Sequence, residues 1–205
     1  MAGYDVRVFD LDGGRLCLDF ANTLSASDGD LLLAYADLVT FAEESHLVTP
    51  DDAQWLRETA PRYAGDAEAA MQDAYTLRAA IYATFSAVAN GGGPDAEDLA
   101  MLNYAVAAAM AHARVVRDGD GGYRWGWDAQ LQLGTPLWEI ARSAAELLIS
   151  PEDRGRVRQC GGAGCRWLFL DTSKNRSRQW CSMRSCGNRQ KARRHYQRVR
   201  TLRDA

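Results

Sequence analysis

Four cysteines near the end of the chain, Cys160, Cys165, Cys181 and Cys186, are spaced C-x4-C-x15-C-x4-C. Two short loops, each bracketed by a pair of thiols, can place four sulfurs at the corners of a tetrahedron, the donor set that a structural zinc ion takes. The first loop is Gly161-Gly162-Ala163-Gly164, small enough for backbone amides to curl towards sulfur and for φ to turn positive. The second is less glycine-rich, with Gly187 supplying that freedom at its exit. Two disulfides and redox-active free thiols are the competing readings, and the four-residue spacing is not the commoner two-residue knuckle. Disulfides need an oxidising compartment, and the first residues have no cationic start, apolar stretch or small-residue cleavage site to direct export. The expectation is one structural Zn2+ on four thiolates in a cytoplasmic protein. Cys17, alone in an apolar stretch, reads as a core residue.

Directly after the last cysteine comes Gly187-Asn188-Arg189-Gln190-Lys191-Ala192-Arg193-Arg194. The formal net charge of -3 conceals two opposed parts, because residues 151–205 hold 15 Lys and Arg against 4 Asp and Glu. The first 150 residues hold 9 basic and 23 acidic residues. A basic segment on an acidic body is the footprint expected where one part meets a polyphosphate and the other does not. The candidate nucleic-acid contacts are Lys174, Arg176 and Arg178 from a polar turn, and Arg189, Lys191, Arg193, Arg194 and Arg198 from a basic helix. The bland alternative is a solvated helix, but such helices usually mix signs to gain pairs on neighbouring turns, and here the nearest downstream acid is Asp204.

The elements that must position these groups read as mainly α (α+β): a helical N-terminal domain with short β elements over residues 1–150, then a small zinc-bound β-hairpin and basic C-terminal helix over 151–205. Residues 6–10 read as a strand, and 16–24 stay open between strand and helix. Helices are expected over 31–45, 50–63, 67–89, 95–112 and from Thr135 to the Ser150-Pro151 step, where proline disfavours helical geometry in the preceding residue. Ala74, Leu77, Ile81, Phe85 and Val88 form an apolar stripe at helical spacing. The glycine-rich turn 118–122 reads as a hairpin between residues 114–116 and 123–125. Strands near 156–158 and 166–170 would frame the cysteine loops, with Trp167, Phe169 and Trp180 as a miniature core. From Asn188 a helix is expected to about Leu202, with Ala192, Tyr196 and Val199 on the stripe that docks on the hairpin. Asn188 reads as a helix cap, with direct base contact as the alternative, and Arg189 as a phosphate contact or a partner of Asp171.

Residues 160–198, through Trp167-Leu168-Phe169-Leu170-Asp171-Thr172-Ser173, Trp180-Cys181-Ser182-Met183 and Cys186-Gly187-Asn188-Arg189, closely resemble the CGNR zinc-finger family of bacterial proteins, whose signature is that last tetrad. Gly14-Arg15-Leu16-Cys17-Leu18-Asp19-Phe20-Ala21-Asn22-Thr23 resembles the start of the ABATE domain that commonly precedes this finger. The resemblance implies a stress-related transcription regulator, with the cysteines as zinc ligands and the finger as the DNA-binding part. For the N-terminal domain it implies a sensor or ligand-binding role, and so a small-molecule effector. A homodimer would suit a duplex target, although no heptad or apolar patch specifies one.

Two other classes remain in view: a zinc-braced protein-interaction adaptor or RNA-binding protein, and a nucleic-acid-processing enzyme. The enzyme reading has little material, since H-E-x-x-H, P-loop and G-x-S-x-G motifs are absent from the sequence. His46 and His112 fall at predicted helix ends, where histidine commonly meets terminal carbonyls, and His195 lies on the basic helix. No apolar run approaches the roughly 20 residues that span a bilayer.

Overall fold

The computed structural model describes residues 8–26, 29–193 and 196. Its organising element is α4 (Ala64–Ala89), whose 26 residues run about 39 Å at 1.5 Å per residue. The expected stripe faces inward, with Ala74, Leu77, Ile81 and Phe85 buried and Val88 partly so. Around α4 pack α1 (Leu16–Ala21), α2 (Tyr35–Glu44), α5 (Ala96–Met110) and α6 (Thr135–Ile149), with α3 (Pro50–Thr59) against α2. One core unites Phe20, Leu38, Phe41, Leu56, Ile81, Phe85, Leu102, Ile140 and Leu147. Mainly helical with short hairpins, the fold is that expected from the sequence.

Local chemistry sets several boundaries. Thr49 caps α3 by accepting from the Asp52 amide at 3.1 Å, and the Asp52 carboxylate bonds back to the Thr49 amide at 3.2 Å. After α3 a single 3-10 turn, Ala60–Tyr63, leads into α4. Helix α2 starts later than residue 31, because the Asp37 carboxylate accepts from the amides of Leu33 and Ala34 at 2.8 Å each and fixes the entry there. Residues 16–24 resolve as α1 followed by β1 (Leu24–Ser25), which pairs with β2 (Gly29–Asp30). Of the strand expected over 6–10, Val8, Phe9 and Asp10 are described and are not strand. The Glu44 carboxylate takes the amides of Val8 and Phe9 at 2.8 and 2.9 Å. The hairpin β3 (Ala113–Arg117) and β4 (Tyr123–Trp127) forms as expected.

Buried Arg78 on α4 makes a two-pronged bond to Asp30 at 2.6 and 2.7 Å and also reaches Thr23 Oγ1 at 3.2 Å. The hydrogen bonds from Arg78 hold the Asp30 carboxyl below its usual range, so the β1–β2 turn is tied to the central helix by charge as well as packing.

After α6 comes one short turn, α7 (Pro151–Arg154), capped by Ser150. Then β5 (Val157–Gln159) and β6 (Leu168–Leu170) form an antiparallel hairpin. Successive side chains of a strand point to opposite faces, and β6 is buried on both. Leu168 and Leu170 join the helical core with Val157, whereas Trp167 and Phe169 join a second cluster containing the four cysteines.

Candidate metal centre

The hairpin delivers the first cysteine pair. Beyond the β5–β6 ladder the Cys160 amide donates to the Trp167 carbonyl at 2.8 Å, and the Gly161 amide to the Gln179 carbonyl at 2.9 Å, which ties the returning segment alongside. The turn closes when the Cys165 amide meets the Gly162 carbonyl at 3.0 Å, with Gly164 at φ +79. The second pair is set by a single π-helical turn, Met183–Gly187, where Ser182 Oγ accepts from the Arg184 amide at 3.3 Å. Such turns widen the helix by one residue and recur at functional sites.

These loops bring all four sulfurs within 4.8 Å of one another. Cys165 Sγ lies 3.8 Å from Cys181 Sγ, and Cys181 Sγ 3.8 Å from Cys186 Sγ. A tetrahedron with zinc–sulfur bonds of about 2.3 Å has edges of about 3.8 Å, whereas a disulfide would draw a pair to about 2.05 Å; all five cysteines are free thiols. The amides of Gly162 and Cys181 donate to Cys160 Sγ at 3.4 and 3.3 Å. A β-carbon on Gly162 would lie 3.0 Å from Cys186 Sγ and 3.4 Å from Cys160 Sγ, tight enough that the sulfurs would have to shift by a few tenths of an ångström. Hydrogen bonds from the Cys165 and Cys181 thiols hold the Cys160 thiol far below its ordinary range. The Cys165 thiol, which donates a hydrogen bond to Cys160, is pushed up to about 12, and Cys181 is pushed up as well. Four crowded sulfurs cannot all ionise without a compensating cation, and this is a site for one structural zinc ion.

Around the sulfurs lie Trp167 and Phe169, with Trp180 partly buried, the miniature core expected from the sequence. The Trp167 indole N–H is buried without a hydrogen-bond partner among the described residues. Asp171 anchors the turn that follows. Burial alone would raise its carboxyl, but hydrogen bonds from Ser173 and from the Arg178 amide outweigh that and hold it below the usual range.

The candidate cationic contacts divide. Lys174 and Arg176 are exposed on the turn after β6, with Arg176 at φ +50. Arg178 is held inward: its guanidinium donates to the carbonyls of Trp180 at 2.9 Å, Asp12 at 3.1 Å, Leu170 at 3.4 Å and Cys181, and stands 4.5 Å over the Phe169 ring. Residues 188–193 are helical, and Arg189, Lys191 and Arg193 are exposed there; Arg194, His195, Arg198 and Val199 lie outside the described residues. Asn188 is inside the helix rather than its cap, giving its side-chain amide to the Arg184 carbonyl at 3.3 Å. The docking stripe is not realised where described, since Ala192 is exposed and Tyr196 is 73% exposed. A cleft of about 480 Å³ gathers Arg158, Arg176, Arg178, Gln179 and Gln190. Arg158 and Gln190 escaped the sequence reading, although the Arg-Val-Arg alternation at 156–158 put two arginines on one side of a strand.

The model of the ABATE family, described as "Putative stress-induced transcription regulator", matches residues 14–151. The chain belongs to the ABATE family. The CGNR zinc-finger model matches residues 156–199, which contain all four cysteines and the tetrad. Neither is an enzyme family, and no curated protein matches the chain. In this ABATE chain the N-terminal motif acts directly on the finger. Buried Asn22 donates to the Leu168 carbonyl at 2.9 Å and accepts the Leu168 amide at 2.8 Å, completing β6 as a neighbouring strand would. The Leu170 amide donates to the Gly13 carbonyl at 2.8 Å, and the Gly13 amide to buried Asp19 at 2.7 Å. The signal for Asn22 was an asparagine beside Phe20 and Ala21, since polar side chains in such runs are buried only with partners. Of the histidines, His112 stacks on Trp138 at 4.1 Å and meets Asp128 at 3.1 Å, and exposed His46 ends α2 at φ +60. No helix among the described residues is long and apolar enough to cross a membrane.

Proposed function

We propose that the chain is a DNA-binding transcription regulator in which zinc holds the β5–β6 hairpin and the basic helix as a cationic surface for the phosphate backbone. The observation that carries this reading is the sign of the surface beside the sulfurs. Lys174, Arg176, Arg189, Lys191 and Arg193 are exposed, and among the described residues none of them is paired with a carboxylate. Unpaired cations of one sign release condensed counterions when they meet DNA, and that release supplies affinity. Arg194 and Arg198 extend the same run in sequence. Arg178 serves as a clamp, tying the loop after β6 to both the cysteine loop and the helical part. Residues 151–205 are the contacting part in this proposal, and residues 1–150 the acidic body that carries them. The zinc, when bound, supplies rigidity, and Asn188 begins the helix that leaves the metal loop.

The test is binding of the full zinc-loaded chain to mixed-sequence duplex DNA across salt concentrations. Five phosphate contacts give a slope of log affinity against log salt near about -4.5. Binding without salt dependence would identify an adaptor, and a marked preference for RNA would reassign the partner.

A further inference from the structure

Between the zinc hairpin and the body lies a second cavity, of about 450 Å³, within the range of small-molecule sites. Tyr75, Arg78, Ala79 and Tyr82 recur at three- and four-residue steps along α4, and so lie on one face of it. With Leu24 and Trp167 they line the cavity, and Arg166 stands at its edge. The tyrosine hydroxyls are committed to backbone, Tyr75 donating to the Leu32 carbonyl at 3.0 Å and Tyr82 to the Arg166 carbonyl at 3.3 Å. What they leave to a ligand is their rings. Arg78 is neutralised by Asp30. Arg166 is exposed, and among the described residues it has no acid partner and no carboxylate lines the cavity. Flat apolar walls beside one uncompensated guanidinium select a ligand that is flat, apolar and anionic at one end, because the rings accept stacking and arginine pairs with a carboxylate in two-pronged fashion.

We propose that the cavity between α4 and the zinc hairpin binds a small flat aromatic anion, stacked among Tyr75, Tyr82 and Trp167 with its acid group on Arg166. Nothing in this site depends on DNA binding. Trp167, one wall of the cavity, packs in the cysteine cluster, and Tyr82 accepts from Gln159 Nε2 at 3.0 Å, so the ligand would touch the body and the finger at once.

The experiment titrates the full zinc-loaded chain with 2-naphthoate and, separately, with the uncharged 2-naphthalenemethanol, reading heats of binding. One equivalent of 2-naphthoate is expected to bind at least tenfold tighter than the alcohol. Arg166→Gln, at an exposed position, should erase that advantage while the alcohol binds as before. Ala79→Phe, which fills the cavity from the exposed side of α4, should weaken both probes tenfold or more, with zinc content and the far-ultraviolet spectrum confirming the fold of each variant. Equal binding of acid and alcohol by the parent chain, no binding of either, or unchanged affinity in folded Ala79→Phe would overturn the proposal.

Discussion

The helical body and the zinc hairpin reach order by opposite means. The body buries a continuous apolar core around α4, so its stability is spread over many side chains, each worth about 1.5–3 kcal/mol. The hairpin buries little beyond Trp167, Phe169 and four cysteines on its outer side, too little apolar surface to fold on. Metal ligation supplies the difference, on the order of 10 to 16 kcal/mol in zinc-finger peptides. The two are nevertheless not separable, because β6 belongs to both. Its Leu168 and Leu170 are core residues of the body, and its backbone is completed by Asn22 and Gly13. A finger built in this way is held from two sides, by sulfur and by the body.

The most severe way to break this arrangement is Cys181→Ser, which removes one corner of the tetrahedron. It should abolish zinc binding and the order of the two cysteine loops, while β6, α4 and α6 stay folded; hydrogen exchange resolved by segment would show protection lost in the loops and kept in the body. Uniform loss across the chain would mean that the body also relies on the metal.

At the seam, burial pushes the Asp19 carboxyl up to about 7, against an amide bond from Gly13 that works the other way. A raised acid favours folding while protonated, so its contribution is complete below about pH 4 and is lost as pH rises through 7. Three units correspond to about 4 kcal/mol at most. Asp19→Asn keeps an acceptor for Gly13 and should remove that decline, so the variant gains on the parent in urea denaturation between pH 5 and pH 8. A constant difference across that range would show that Asp19 is not the titrating group.

Asn22→Ala leaves the Leu168 amide and carbonyl buried without partners, at a cost of about 3 kcal/mol. It should lower stability and quicken zinc loss to a chelator, since the hairpin is then held from one side only. Faster zinc loss without any change in body stability would place Asn22 in the finger alone. The smallest effect belongs to Arg193→Ala, expected to reduce the salt slope for DNA by about 0.9, one phosphate, with zinc content intact. Equal zinc loss in Arg193→Ala and Cys181→Ser would end the division between holding and contacting residues.

Much of this was legible because local rules dominate where they were used. Cysteine spacing located both loops, helical periodicity located α4 and α6, and the glycine-rich turn located β3–β4. What stayed hidden depends on which way a side chain turns once the chain is packed. Arg178 has the composition of a phosphate contact but spends its donors on four carbonyls, because the loop around it leaves those acceptors facing inward. Asn188 has the type of a helix cap, yet the π-helical turn before it has already begun the helix, and Ser182 is the cap. On α5, Leu102 and Ala109 are buried and Met110 is exposed, so which apolar residues face α6 is settled by packing rather than by residue type. Asn22 and Gly13 act on residues roughly 150 positions away, a pairing that no local pattern encodes.

Zinc-edge X-ray absorption on freshly purified, fully reduced protein reads the atoms around the metal itself. One equivalent of zinc surrounded by four sulfur scatterers at about 2.3 Å is the expected result. Substoichiometric zinc, or a shell containing nitrogen or oxygen in place of any sulfur, would contradict it.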